Sequence, residues 1–215
     1  MGERQIILWR HGRTSWNAER RFQGQSDIEL DDEGRAQAER AAELLAYLEP
    51  DRIIASDLAR AWATAQALSA RTGVHVTADA RLRETFAGEW EGLSRGELLE
   101  RHGDEVARWA SDSAARPGGG ETRIEVADRV VAAITDGLDE VAESGTLVVA
   151  THGGAARAGI GALLELPPEQ WACLGVLSNC AWSILSENTT GFGPAWRLQE
   201  YNAGSLPTPA LADDR

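Results

Sequence analysis

The chain has 215 residues, enough for one large α/β domain or two small ones. Hydrophobic residues make up 43% and charged residues 26%, an ordinary globular composition that excludes a long disordered protein. The net charge of −13 disfavours binding to nucleic acid and to anionic membranes, so an anionic substrate would need a local cluster of positive charge.

Short apolar runs and longer helical patterns alternate along most of the chain. Each predicted strand is an apolar or β-branched run, and the predicted helices show apolar residues at helical spacing with capping or stop signals. In chain order we predict a strand at 5–9, a helix from 31–33 to Pro50, a strand at 52–55, a helix at 58–71 and a strand at 74–77. A helix at 122–143, a strand at 146–150, a helix ending at Leu166, and strands at 180–186 and 196–201 follow.

This alternation predicts an α/β fold, a three-layer α/β/α sandwich whose mostly parallel central sheet carries helices on both faces. We predict one domain over residues 1–203 and a flexible tail at 204–215. The irregular, glycine-rich segment 88–121 is predicted to be an insertion that covers the site. Within it, residues 117–120 form the clearest loop, and they lack the Lys-Ser/Thr ending of a phosphate loop.

The chain shows no signal for export or for a metal. The apolar run at 6–9 is too short for a signal peptide, and no apolar stretch is long enough to span a bilayer. Cys173 and Cys180 match no zinc motif and suit a reducing compartment. We therefore expect a cytoplasmic protein without a metal or cofactor, and without nucleic-acid or membrane partners.

Two predicted strands end in a His-Gly step, at His11-Gly12 and at His152-Gly153. Ligand sites in open α/β sheets lie outside the carboxyl ends of the strands, and glycine lets the backbone approach a ligand closely. A lone histidine is more often a surface residue or a satisfied core residue. Two histidines at equivalent strand ends, the first preceded by Arg10, instead predict a ligand site.

Three arginines lie where they could converge on that site. Arg10 is at the first strand end, Arg60 is in the first turn of the helix after the second strand, and Arg83 precedes Glu84. Arginine binds phosphate oxygens in bidentate fashion, and helix N-termini add backbone donors. The arrangement favours a small anionic ligand, although Arg60 could instead be a solvent-facing helix residue.

Longer blocks surround these residues and occur in a specific order. They are 8–14, Asn17, 21–24, 56–61, 82–84, 88–92, 120–121 and 151–154. Together they resemble the motifs of the histidine phosphatases, also called the phosphoglycerate-mutase-like superfamily. The resemblance covers roughly residues 5–200, and the blocks in this order make it much more specific than the Arg-His-Gly step alone.

The resemblance implies a phosphoryl-transfer mechanism. His11 would be the nucleophile and form a phosphohistidine, since a neutral imidazole nitrogen is a competent nucleophile near neutral pH. Glu84 would donate a proton to the leaving alkoxide and then activate the water that cleaves the phosphohistidine. Glu89 is the alternative acid, and an ion pair of Glu84 with Arg81 or Arg83 is the structural alternative.

The resemblance also implies a positive phosphate pocket. Phosphoryl transfer spreads negative charge over three oxygens, which two arginines and a cationic His152 would stabilise. The residues implied in binding phosphate or the rest of the substrate are Arg10, Asn17, Gln23, Gly24, Arg60, Glu84, His152 and the backbone N–H of Gly153. Only the resemblance selects His11 over His152 as the nucleophile.

Hydrolysis is favoured over a mutase reaction by the segment after Glu84. Family mutases carry a long basic insertion there. In this chain the corresponding segment, 101–120, is short, and its arginines are scattered among acidic residues. Gln23 also stands where mutases usually have a small hydroxyl residue.

Trp16 and Trp90 lie in loops next to the site and could line a substrate pocket.

The substrate is indicated by a narrower resemblance. Residues 21–27, 82–85 and several positions after 174 resemble the subgroup that includes the actinobacterial glucosyl-3-phosphoglycerate phosphatases. This implies a small phosphate ester, glucosyl-3-phosphoglycerate, as the substrate. The alternatives are a broad-specificity or α-ribazole phosphatase, a phosphoglycerate mutase and, from another class, a non-enzymatic sensor of a phosphorylated ligand. A homodimer is a further expectation.

Overall fold

A six-stranded sheet runs through the middle of the protein in the computed structural model, which describes residues 3–204. The strands are β1 (Gln5–Arg10), β2 (Arg52–Ala55), β3 (Val76–Ala78), β4 (Thr146–Thr151), β5 (Trp182–Glu187) and β6 (Trp196–Ala203). Their order across the sheet is β3-β2-β4-β1-β5-β6. The first four strands are parallel, β5 is antiparallel to β1, and β6 is antiparallel to β5. The predicted α/β fold with a mostly parallel sheet is confirmed.

Helices cover both faces of this sheet. These are α2 (Asp32–Leu45) and α3 (Ala59–Thr72) on one face and α5 (Arg123–Leu138) and α6 (Gly153–Leu163) on the other, while α1 (Ser15–Glu19) and α4 (Arg95–Ser111) contribute no residue to the two cores against the sheet. Side chains alternate between the two faces of a strand. Ile6 and Leu8 of β1 accordingly pack in one core cluster with α5 and α6, while Ile7 and Trp9 pack in a second cluster with α2 and α3.

Several helix ends lie where their sequence signals predict. Asp31 caps α2, because its carboxylate accepts a hydrogen bond from the N–H of Gly34 at 2.7 Å. Gly73 ends α3 with a φ of 75°, a left-handed conformation that suits glycine. The predicted helix at 122–143 is shorter than expected, since α5 ends at Leu138.

The prediction of an irregular segment after residue 87 was wrong in one respect, because it contains the 17-residue helix α4. Ser94 and Glu97 form a capping box at its start. Leu98 and Trp109 lie on its packed side, in a small cluster with Phe22 and Trp90. The capping box and the helical spacing of these residues were the sequence signals that the prediction overlooked.

The glycine-rich loop at 117–120 packs against the segment that follows Glu84. A Cβ atom added to Gly88 would overlap the carbonyl oxygen of Gly118, and one added to Gly120 would overlap that of Phe86. The loop therefore requires glycine for close backbone contact. The limits of the single domain and the role of 88–121 as a cover stay predictions.

Two other predictions concern the chain ends and membranes. Apart from Gly204, the predicted tail at 204–215 lies outside the described residues. No helix within residues 3–204 is long and apolar enough to cross a membrane.

Candidate active site

His11 lies at the carboxyl end of β1 and is almost completely buried, with 2% of its surface exposed. Its backbone N–H donates to the carbonyl of Thr151 on the neighbouring strand at 2.9 Å. Its ring atom Nδ1 lies 2.7 Å from the carbonyl oxygen of Gly12. Because a carbonyl can only accept a hydrogen bond, Nδ1 carries the proton and Nε2 carries the lone pair.

The backbone after His11 is held by close packing. A Cβ atom added to Gly12 would overlap the carbonyl oxygen of Gly34, where α2 begins. The N–H of Gly12 also donates to the hydroxyl of Thr64 on α3 at 3.1 Å. Two glycines and a threonine thus fix the loop that carries the His11 imidazole.

His152 lies beside His11, as the two strand ends predict. The ring centroids are 5.1 Å apart and the rings are inclined at 61°. Nε2 of His152 lies 2.8 Å from the hydroxyl oxygen of Ser56, at the end of β2. Three adjacent parallel strands therefore each place one of these polar side chains at the same edge of the sheet.

The pKa of both histidines is lowered well below 6.5, first by burial and then by the charges of nearby arginines. His11 is therefore neutral at pH 7, which suits a nucleophile. The expectation of a cationic His152 does not hold for the free protein, since burial and Arg60 both disfavour its charged form. A bound phosphate dianion would oppose both effects.

Arg10 and Arg60 are both buried next to these rings, with 4% and 0% of their surfaces exposed. The Arg10 side chain donates to the carbonyl of Leu177 at 2.5 Å. The Arg60 side chain donates to the carbonyls of Gly24 and Ser26, both at 2.8 Å. The alternative of a solvent-facing Arg60 was wrong, because its helix turns this residue toward the sheet edge.

Six of the residues singled out from the sequence line one cleft at this edge: Arg10, His11, Gln23, Gly24, Arg60 and Glu84. We call it the inner cleft. His152, Asn17 and Gly153 are buried next to it, outside its lining. His11 therefore faces the inner cleft whereas His152 does not, which gives a physical reason to prefer His11 as the nucleophile.

The buried polar residues beside the cleft connect its loops. The side-chain oxygen of Asn17 accepts hydrogen bonds from the N–H of Thr14 at 3.1 Å and from the amide of Asn179 at 3.2 Å. The side-chain oxygen of Gln23 accepts one from the Thr14 hydroxyl at 3.0 Å. Gly153 begins α6, and a Cβ added there would lie 3.3 Å from Cζ of Arg10.

The carboxylate of Glu84 is held by three backbone N–H groups. Gly154 donates to one oxygen at 2.9 Å, and Ala155 and Thr85 donate to the other at 3.0 and 2.8 Å. Gly154 and Ala155 belong to the first turn of α6, where N–H groups lack partners within the helix. The helix that follows His152 therefore positions Glu84 in the wall of the inner cleft.

The two arginines next to Glu84 in the sequence bind other acids. Arg83 forms a bidentate ion pair with Asp57 at 2.6 and 2.7 Å, and it does not line the cleft. Arg81 pairs with Asp79 and Asp136. The predicted convergence of Arg83 on the site was therefore wrong, and so was the alternative of a Glu84 ion pair with Arg81 or Arg83.

The family model described as the histidine phosphatase superfamily (branch 1) matches residues 6–203. The chain belongs to this superfamily. The resemblance found in the sequence motifs is thereby confirmed.

Individual relatives of this histidine phosphatase extend over nearly the whole chain. A glucosyl-3-phosphoglycerate phosphatase of Mycolicibacterium vanbaalenii is 38% identical and covers 95% of this chain and 97% of its own. A probable phosphoglycerate mutase of Citrobacter koseri is 35% identical and covers 96% and 97%. The structure of a mycobacterial glucosyl-3-phosphoglycerate phosphatase complexed with VO3 superposes with a TM-score of 0.86, at 39% identity, covering 93% of this chain and 99% of that one.

The rival acid Glu89 is exposed and lies outside the inner cleft of this histidine phosphatase. Glu91 is engaged elsewhere, since its carboxylate accepts hydrogen bonds from the N–H groups of Gln25 and Ala87 and from the Ser26 hydroxyl. Of Glu84, Glu89 and Glu91, only Glu84 lines the cleft.

The aromatic wall of the cleft differs from the one predicted. Trp90 is buried among Phe22 and Trp109, and neither it nor Trp16 lines the cleft. Several residues that line it were not predicted from the sequence to do so: Phe22, Thr85, Trp109, Arg123, Arg157 and Trp171. Arg157 had a usable signal, because it lies one helical turn after Gly153 in a helix that begins at the site.

The site was also considered for side chains that could bind a metal ion. Within residues 3–204, no three His, Cys, Asp or Glu side chains come together in a way that could hold a metal ion. The groups available for chemistry in the inner cleft are the imidazole of His11, the two buried guanidinium groups and the carboxylate of Glu84.

Proposed function

We propose that the protein is a phosphomonoesterase that acts through a phosphohistidine on His11, with glucosyl-3-phosphoglycerate as its substrate. The observation that carries the proposal is the orientation of His11. Its Nδ1 proton is bound by the Gly12 carbonyl, which leaves the lone pair on Nε2, and His11 lines a cleft that Arg10, Arg60 and Glu84 also line. A phosphatase is also what the named relatives at 38–39% identity support.

The first chemical step transfers the phosphoryl group from the ester to the protein. Nε2 of His11 attacks phosphorus, the P–O bond to the carbon skeleton breaks, and Glu84 gives a proton to the leaving oxygen. Charge on the non-bridging oxygens is stabilised by Arg10 and Arg60, which cost little to reorganise because backbone carbonyls already hold them.

The second step returns the protein to its starting state. Glu84, now a carboxylate, takes a proton from water as the water oxygen attacks phosphorus. The P–N bond breaks, inorganic phosphate leaves, and Nε2 of His11 regains its lone pair. The N–H groups of the α6 N-terminus keep the Glu84 carboxylate in place for both proton transfers.

Hydrolysis is favoured over mutase activity because the arginines of the segment at 101–120 lie outside the inner cleft. Arg101, Arg108 and Arg116 belong to the segment that is long and basic in mutases, and none of them lines the inner cleft. Arg116 instead pairs with Glu125. The probable mutase among the relatives keeps phosphoglycerate mutase as the second candidate. A cytoplasmic location and a homodimer stay predictions.

Steady-state kinetics on three esters tests the proposed function. We expect kcat/KM to be highest for glucosyl-3-phosphoglycerate, with 3-phosphoglycerate and p-nitrophenyl phosphate well below it. Equal low rates on all three would overturn the substrate and favour a broad-specificity phosphatase. Conversion of 3-phosphoglycerate to 2-phosphoglycerate without phosphate release would favour the mutase, and binding of esters without any turnover would favour a sensor.

A further inference from the structure

A second pocket continues outward from the inner cleft. We call it the outer cleft, and its lining includes Ser113, Pro168, Leu174 and Val176. Four residues line both clefts and so mark the passage between them: Trp109, Arg123, Arg157 and Trp171. A substrate whose phosphate lies against His11 would extend past these four side chains.

Arg157 is a half-buried arginine at this passage. Within residues 3–204 it forms no hydrogen bond and no ion pair to a carboxylate, although this protein pairs many of its other arginines with acids. Glu169 lines the outer cleft without pairing with it. A half-buried guanidinium without an anionic partner is costly unless a ligand supplies one.

Arg123 brings a second positive charge to the same place. Its guanidinium stacks on the Trp109 ring at 4.2 Å and donates to the Trp109 carbonyl at 2.5 Å. Burial, followed by repulsion from Arg157, lowers the pKa of Arg123 to about 10, and Asp112 opposes this only in part. The charges of the two arginines therefore repel each other, and an anion between them would relieve the repulsion.

The α6 helix sets the spacing between this pair and the catalytic groups. Gly154, whose N–H binds Glu84, lies three residues before Arg157. Residues three apart share a helix face and are separated by about 4.5 Å along the axis. Arg157 thus lies one helical turn beyond the N–H group that binds the proposed proton donor, and it lines the passage that the two clefts share.

We propose that Arg157 and Arg123 form a second anion subsite, which binds a carboxylate on the leaving group of the phosphate ester. This inference rests on the proposed function and deepens it. In a 3-phosphoglycerate skeleton the carboxylate lies two carbons from the phosphorylated carbon, so one short leaving group carries this second anion. Non-ionic substituents of the same skeleton would then extend into the outer cleft, between its tryptophan and aliphatic side chains.

A matched pair of substrates tests the subsite. One is glucosyl-3-phosphoglycerate, and the other is its analogue in which a hydroxymethyl group replaces the carboxylate. We expect wild-type kcat/KM to be about tenfold or more higher for the carboxylate, and we expect the Arg157→Gln variant to lose that preference through a higher KM for the carboxylate ester. Arg108→Gln, on α4 outside both clefts, is the control and should keep the preference.

The outcomes separate the subsite from the proposed function. If the wild-type protein hydrolyses both esters equally well, or if Arg157→Gln and an Arg123→Gln variant both keep the preference, the subsite is overturned while the phosphatase stands. If neither ester releases phosphate, the proposed function itself fails. An Arg157→Gln variant that loses activity equally on both esters also overturns the subsite. A residue that binds the carboxylate should affect only the ester that carries one.

Discussion

The carbonyl oxygen of Gly12 accepts the Nδ1 proton of His11 at 2.7 Å, which holds the imidazole in a single tautomer. That tautomer directs the lone pair of Nε2 away from the backbone. The pKa of His11 is lowered by burial, Arg60 and Arg10, so the neutral ring persists into mildly acidic solution. Nucleophile orientation and protonation state thus both follow from the strand end on which His11 lies.

The stability of the protein should depend on pH through the two buried histidines. Because their folded pKa lies well below 6.5, the unfolded chain binds a proton below pH 6.5 that the folded protein does not. Stability is therefore fully present above pH 6.5 and falls with pH below it, by about 1.4 kcal/mol per pH unit for each histidine.

Urea unfolding between pH 7.5 and 5.5 measures this dependence. A His11→Asn variant lacks one titrating group, so over this range it should lose about 1.4 kcal/mol less stability in total than the wild type. The solvated carboxylates titrate alike in both proteins and cancel in the comparison. Identical slopes would mean that His11 titrates in the folded protein as it does in the unfolded chain.

A Glu84→Gln variant should separate the two chemical steps. On an alkyl phosphate it removes the proton donor, and we expect kcat to fall by about 100- to 10,000-fold. On p-nitrophenyl phosphate the leaving group needs no proton, so a rapid burst of p-nitrophenol should precede slow turnover. Rapid-mixing absorbance measurements would detect the burst.

Glu89→Gln is the matched control for that experiment. Its side chain is exposed and outside the inner cleft, so both steps should proceed at wild-type rates. A large loss of activity in Glu89→Gln, with Glu84→Gln unaffected, would reverse the assignment of the acid.

Ser56 is expected to position His152, whose ring packs against that of His11 at a centroid distance of 5.1 Å. A Ser56→Ala substitution removes the hydroxyl 2.8 Å from Nε2 and leaves a buried ring nitrogen without its partner, at a cost of about 1–3 kcal/mol. Ser183 is an equally buried serine on β5 whose hydroxyl accepts a backbone N–H and which does not line the inner cleft. Ser183→Ala should therefore reproduce any general loss of stability but leave kcat unchanged.

The two variants are compared by kcat, phosphate inhibition and thermal unfolding. We expect only Ser56→Ala to weaken inhibition by inorganic phosphate and to lower kcat. Equal effects of both substitutions on kcat would show that Ser56 acts only through packing.

The close contact of Gly34 with the backbone that follows His11 should not tolerate a methyl group. A Cβ atom on Gly34 would overlap the carbonyl oxygen of Arg13, which neither backbone can avoid without moving the His11 loop. Gly34→Ala should cost about 1–3 kcal/mol of stability, together with activity. Gly96, exposed on α4 with open space around it, is the control, and Gly96→Ala should stabilise by about 0.5–1 kcal/mol. Wild-type stability of Gly34→Ala would refute the close contact.

The sequence predicts the sheet well because its strands carry strong local signals. β1 and β4 are apolar runs buried along nearly their whole length, and each ends in the His-Gly step that forms the site. The fate of Arg83 was harder to predict, because its partner Asp57 is brought near only when β2 and the loop after β3 assemble. Local patterns carry little information about such long-range pairing.

The residues of the cleft wall likewise divide into those indicated by local sequence motifs and those placed by long-range packing. His11, Arg10 and Glu84 follow from motifs, whereas Trp109 and Trp171 enter the wall from α4 and from the short helix at Pro168–Cys173. The α4 helix had local signals that the prediction overlooked, whereas Trp171 reaches the wall by packing on Gly161 of α6. Which side chains of these helices enter the cleft depends on tertiary packing that a single sequence does not reveal.

Identification of the phosphorylated residue tests the central claim most directly. The Glu84→Gln variant, in which the second step is slow, is mixed with p-nitrophenyl phosphate labelled on phosphorus, quenched in base, digested and analysed by mass spectrometry. We predict a base-stable, acid-labile label on the peptide that contains His11, and neither label nor turnover in His11→Ala. A label on another residue, or an His11→Ala variant that keeps wild-type turnover, would contradict the account.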